Sequence, residues 1–132
     1  MKQIIVAEDE DQTRRSLAVV LESAGYVVKE AKNGVEAMEK WLDTDRSSPV
    51  DLLLTDIVMP TMTGLELINF VRKRDKYLPI IVITGYNDEK LSRQLSGLGY
   101  AHLIEKPFEP DVLLECITQV FDRNCQHIER VV

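Results

Sequence analysis

The chain has 132 residues, 45% of them hydrophobic, which is enough for one domain with its own core and without disulfide or metal staples. Its formal net charge of −6 argues against a direct grip on nucleic acid. Cys116 and Cys125 match no metal or redox spacing and read as free thiols in a reducing compartment; no signal peptide and no apolar run of membrane-spanning length is legible, so the expected location is cytoplasmic, with no membrane partner.

Gln3 to Ala7 is an apolar, β-branched run and predicts a buried strand. It ends in Glu8-Asp9-Glu10-Asp11. Leu17, Val20, Leu21 and Ala24 then fall at helical spacing, with Gly25 as the expected stop. Helix capping, with Asp11 as N-cap, explains Glu10 and Asp11 well, but explains Glu8 and Asp9 poorly because they belong to the strand's end. Val27 to Ala31 predicts a second strand, Asn33-Gly34 a turn, and Val35, Met38, Trp41 and Leu42 a second helix. Trp41 reads as core or groove cover.

A polar stretch over residues 43–49 leads into a third strand at residues 51–55, where three consecutive leucines imply burial on both faces. The run surfaces on a carboxylate, Asp56. Pro60, which has no N–H to donate, closes the loop, and Gly64 opens a helix where backbone room or an unusual φ is needed. Leu65, Ile68 and Val71 mark that helix, and Arg72-Lys73-Arg74 suits its C-terminal dipole. Residues 80–83 predict the fourth strand, ending in Thr84-Gly85. A helix with Leu91, Leu95 and Leu98 follows, closed by Gly97 and Gly99. Residues 102–104 predict a brief fifth strand, which runs into Glu105-Lys106-Pro107-Phe108. Pro110 is a good first residue for the last helix, whose apolar face is Leu113, Cys116, Ile117, Val120 and Phe121. The domain is expected to span residues 1–123. Residues 124–132, with Cys125, Ile128 and Val132 continuing the apolar stripe, form a tail or the start of a helical connector to an output domain or a homodimer seam.

Five repeats of strand then helix imply an α/β fold: a doubly wound, five-stranded parallel sheet in order 2-1-3-4-5 with five helices. In such sheets ligands bind at the carboxyl ends of the strands, at the switch between the first and third. Those two strands end in Glu8-Asp9 and Asp56. The fourth and fifth add Thr84 and Lys106. Three converging carboxylates repel one another unless a cation relieves them, and Mg2+ prefers one or two carboxylates with waters and phosphoryl oxygens. A hydroxyl and an ammonium opposite them could bind a phosphoryl group on Asp56.

These pieces, Ile5-Val6-Ala7-Glu8-Asp9-Glu10, Leu53-Leu54-Thr55-Asp56-Ile57-Val58-Met59-Pro60-Thr61-Met62-Thr63-Gly64, Ile81-Val82-Ile83-Thr84-Gly85 and Lys106-Pro107-Phe108, resemble the receiver domain of two-component response regulators, such as the bacterial chemotaxis regulator. The resemblance covers residues 1–123 and implies the flavodoxin-like fold. It implies a signalling switch rather than an enzyme, one that assists only its own phosphorylation and dephosphorylation. Asp56 would be the phosphoacceptor, served by a sensor histidine kinase or a phosphotransfer protein. Glu8 and Asp9 would be the acidic pair, with Asp9 a direct Mg2+ ligand, and Asp56 and the Val58 backbone carbonyl would complete the metal set. Thr84 and Lys106 would sense the phosphoryl group, and the bond before Pro107 would be cis.

Two positions depart from the family pattern. Glu8 stands where Asp is usual. Leu103 stands three residues before Lys106, where an aromatic often reports phosphorylation to the outer face, so a smaller change on that face is expected. Val58 and Tyr86 would flank the path of an attacking water. Neither is the amide or carboxylate of fast-hydrolysing relatives, which implies a long-lived phosphorylated state. A haloacid dehalogenase-type phosphohydrolase would need an acid where Val58 stands. A flavin or nucleotide binder would need phosphate-binding N–H donors where Glu8-Asp9-Glu10-Asp11 stands. A receiver-shaped interaction module that is never phosphorylated is the remaining alternative.

Overall fold

Each apolar run forms a strand and each strand feeds a helix. The computed structural model describes residues 1–43, 49–85, 89–99 and 102–131, with side chains described through residue 122. The elements in chain order are β1 (Gln3–Ala7), α1 (Asp11–Ser23), β2 (Val27–Ala31), α2 (Gly34–Leu42), β3 (Leu52–Asp56), α3 (Gly64–Arg72), β4 (Ile80–Thr84), α4 (Glu89–Ser96), β5 (His102–Glu105) and α5 (Pro110–Val131). The sheet is wholly parallel in the order β2-β1-β3-β4-β5, as the sequence predicts.

Alternation along the strands divides the core. Ile5, Ala7, Leu53, Ile80 and Val82 pack with Ala37 of α2, Leu67, Ile68 and Val71 of α3, and Leu91 and Leu95 of α4. The intervening residues, Ile4, Val6, Leu52, Leu54, Ile81, Ile83 and Ile104, pack with Leu17 and Leu21 of α1 and with Leu113, Cys116, Ile117 and Val120 of α5. Strands buried on both faces need apolar residues at every position, which is why they read as continuous runs. Trp41 packs edge-on against Phe70 at the rim of the first cluster, their centroids 6.1 Å apart.

Three local expectations need correction. β3 starts one residue later than predicted and includes Asp56; Asp51, just before it, bonds Gln3 twice, its N–H donating to the Gln3 carbonyl at 2.8 Å and its carboxylate accepting the Gln3 N–H at 2.7 Å. The N-cap of α1 is Glu10 rather than Asp11, with no side-chain capping bond; Asp11 is the first helical residue and pairs with Arg14. Asn33 is less a turn residue than the N-cap of α2, accepting the Glu36 N–H at 2.8 Å. Gly25, at φ +97°, ends α1 as predicted. The α5 backbone runs to Val131. Cys125, Ile128 and Val132, which carry the predicted apolar stripe, lie outside the described side chains.

Candidate functional site

Parallel registry brings the strand ends together. Ala7 pairs with Thr55 and Asp56 with Ile83, so Glu8 and Asp9 follow β1 beside the end of β3, and Thr84 lies one residue past the partner of Asp56. Thr84 pairs with Glu105, which leaves Lys106 as the next residue at the same edge, and the Lys106 N–H donates to the Thr84 carbonyl at 2.8 Å. The Lys106–Pro107 bond is cis.

The side chains converge. Lys106 Nζ donates to Glu8 Oε1 at 2.5 Å and to Asp56 Oδ2 at 2.7 Å. Asp56 Oδ1 accepts the Ile57 N–H at 2.6 Å and the Val58 N–H at 3.3 Å. Glu8, Asp56 and Thr84 are buried, Asp9 is exposed, and Val58 turns a 71% exposed side chain outward beside Asp56. Burial raises the Glu8 carboxyl above its ordinary value; the Lys106 bond opposes this and the Asp56 charge adds to it. Burial works against the Lys106 charge, yet the bonds to Asp56 and Glu8 outweigh it and the ammonium lies above the ordinary lysine range.

Glu8, Asp9 and Asp56 each offer a carboxylate oxygen within 4.8 Å of the others. Among the described residues three carboxylates thus face one ammonium, leaving excess negative charge on hard oxygen donors. That donor set fits Mg2+ and is poorly matched to softer transition metals. The predicted residues Glu8, Asp9, Asp56 and Lys106 meet at one point, with Thr84 and Val58 beside them. Tyr86, the other residue predicted to flank the water's path, lies outside the described residues.

One participant, Arg14, was not visible in the sequence, and the backbone room expected at Gly64 has a specific cause. Gly64 presses against the Asp56 main chain: a Cβ there would lie 2.1 Å from the Asp56 carbonyl oxygen. Arg14 reaches from the first turn of α1 to the Glu8 carbonyl, Glu30 and Asp11. The three-residue spacing of Asp11 and Arg14 signals only their own pair.

The sequence profile described as the response regulator receiver domain matches residues 4–118. The response regulator receiver protein CpdR of Brucella abortus (strain 2308) is 41% identical over 108 residues, 82% of this chain and 87% of that protein. Other curated relatives are longer, and the chain spans 56%, 33% and 13% of three of them. A CheY-like response regulator receiver domain protein from Methanospirillum hungatei JF-1 superimposes with a TM-score of 0.89 at 29% identity, over 96% of this chain and 98% of that one. The response regulator TrrA of Thermotoga maritima, solved with Mg(2+)-BeF, superimposes with a TM-score of 0.79 at 33% identity, over 91% and 99%. With a fold and a strand-end carboxylate site of this kind, the chain belongs to the response regulator receiver domain family of two-component signalling, whose members are phosphorylated on aspartate.

Proposed function

We propose that this chain is a phosphoacceptor switch in which Asp56 takes a phosphoryl group from a sensor histidine kinase or a phosphotransfer protein and thereby changes partner binding. The observation that carries this is the position of the Asp56 carboxylate. It is fixed at the end of β3 by two backbone N–H groups on one oxygen and Lys106 on the other. A nucleophile held this way loses little freedom on reaction. As the Asp56 oxygen bonds to phosphorus, the bond to the donor imidazole breaks. Lys106 stays within reach of the transferred oxygens, and the Thr84 hydroxyl is proposed as the second group to hold them.

Glu8, Asp9, Asp56 and the Val58 carbonyl are the proposed Mg2+ set, and the cation would supply neutralisation of phosphoryl charge. The complex of TrrA with Mg(2+)-BeF supports this reading by similarity. The partners are proposed to be proteins: relatives include a sensor kinase and a transcriptional regulatory protein. Among the described residues no helix is long and apolar enough to cross a membrane, and we place the switch in the cytoplasm. The receiver unit is proposed to end near residue 123, with residues 124–132 leading to an output domain or a homodimer seam.

The test is intact-mass measurement after treatment with acetyl phosphate and Mg2+. The wild type should gain one phosphoryl group, and Asp56→Asn none. Undiminished labelling of Asp56→Asn would overturn the assignment of Asp56. A wild type that cannot be labelled, either by acetyl phosphate or by a phosphorylated kinase, would point to a receiver-shaped interaction module.

A further inference from the structure

We propose that Arg14 is a positioning residue for the acidic pair: it grips the main chain on both sides of Asp9 and so sets where the Glu8 and Asp9 carboxylates lie. Asp9 is exposed, and among the described residues its side chain has no hydrogen-bond partner. Its carboxylate is therefore only as well placed as its backbone. Arg14 holds that backbone twice. Its main-chain N–H donates to the Glu10 carbonyl at 2.9 Å, an ordinary first bond of a helix. Its Nη1 donates to the Glu8 carbonyl at 3.0 Å, which no helix requires.

The guanidinium is itself anchored. Nε donates to Glu30 Oε1 at 3.2 Å and Nη2 to Asp11 Oδ1 at 2.7 Å, and the side chain is only 12% exposed. Glu30 belongs to β2, which also accepts the Glu8 N–H through the Ala31 carbonyl at 3.0 Å. β2 thus fixes one side of Glu8 directly and the other through Arg14. A planar fork with donors on all three nitrogens can span three acceptors at once, whereas a lysine ammonium is a single point. Outer partners of this kind fix the orientation of metal ligands.

The inference rests on the Mg2+ reading above, and the sign of one effect separates positioning from simple charge. Arg14 is a cation near an acidic cluster, so by Coulomb's law its removal should tighten Mg2+ binding. If Arg14 positions the ligands, its removal should weaken binding instead. The experiment is calorimetric titration of the full chain with MgCl2. Arg14→Met should bind about tenfold more weakly than wild type. Arg14→Lys, which keeps the charge and should fold even where the methionine variant does not, should remain weakened. Arg15→Met removes the neighbouring exposed cation, 3.8 Å from Glu30, and should bind as tightly as wild type or tighter. Arg14 variants that bind as tightly as wild type would overturn the proposal.

A second readout uses no metal. Amide hydrogen exchange at Glu8 and Glu10, whose N–H groups bond the Ala31 carbonyl and the Glu8 carboxylate, should be faster in both Arg14 variants than in wild type and Arg15→Met, and equal rates would overturn the proposal. A wild type that takes up no Mg2+ would defeat the metal reading alone, and the exchange rates would still decide whether Arg14 holds the pair.

Discussion

A β carbon on Gly64 would lie 2.1 Å from the carbonyl oxygen of Asp56 and 2.8 Å from the Cα of Ile57. The Gly64 N–H donates to the Ile57 carbonyl at 2.9 Å. The first residue of α3 therefore rests on the main chain that carries Asp56. The obstacle is backbone, which cannot swing aside as a side chain would. Gly64→Ala should cost about 1–3 kcal/mol by overpacking and should shift Asp56 as well. Urea midpoint and acetyl phosphate labelling should fall together; a variant that keeps both would show that the loop yields freely.

Glu8 sets a pH dependence. Burial raises its carboxyl above the ordinary 4.5. Between that value and the raised one, the folded chain holds more protons than the unfolded chain, so this group's contribution to stability falls as pH rises through the window. Glu8→Gln removes the titration. It should be more stable than wild type at neutral pH, and the gap should close as pH falls below the window. Urea denaturation at a series of pH values reads this directly, and a glutamine variant less stable than wild type at neutral pH would contradict it. The same variant should bind Mg2+ more weakly, since the pair would have one carboxylate fewer.

Arg72 joins two helices. Its Nε donates to the Leu98 carbonyl at 2.9 Å, Nη2 to the Gly99 carbonyl at 2.7 Å and Nη1 to the Asp75 carbonyl at 3.1 Å. Burial lowers its pKa, and the Asp75 charge only partly offsets that. The guanidinium stays charged all the same, given how high an arginine starts. Removing it leaves the carbonyls of the turn after α4 without this donor. Arg72→Ala should cost about 2 kcal/mol and should speed amide exchange in α4 before it affects α1. Uniform acceleration across the sheet would mean that only global stability had changed.

Val58 bears on how long the proposed phosphorylated state lasts. Its exposed apolar side chain stands beside Asp56 and cannot orient a water molecule. Val58→Asn offers an amide at the same place and should shorten the lifetime of phosphorylated Asp56 on the order of tenfold, through positioning of water. The decay of the phosphorylated mass after removal of acetyl phosphate measures it. An unchanged decay would assign the rate to another feature.

The apolar runs at residues 4–7, 52–54 and 80–83 announce themselves because a strand covered on both faces is apolar along nearly its whole length. The stripes on α1, α3 and α5 follow a helical period for the same local reason. From this alternation came the parallel sheet, its order, and the expectation that Glu8, Asp9, Asp56, Thr84 and Lys106 share one edge. Boundaries were less legible. Asp51 fell just before its strand, and Asn33 capped a helix where a turn had been expected.

By itself the sequence determined which residues end the strands, since burial is written into each run of side chains. Only the tertiary structure decided which of them touch. Lys106 bonds Glu8 across 98 positions and Asp56 across 50. Arg14 leaves its own helix for the Glu8 carbonyl, Gly64 is required by the Asp56 main chain, and Arg72 reaches the turn after α4 as well as the end of its own helix. Such contacts depend on the register between segments distant in the chain. A periodic pattern records only which face of its own segment is buried, and carries no trace of the partner that will lie opposite.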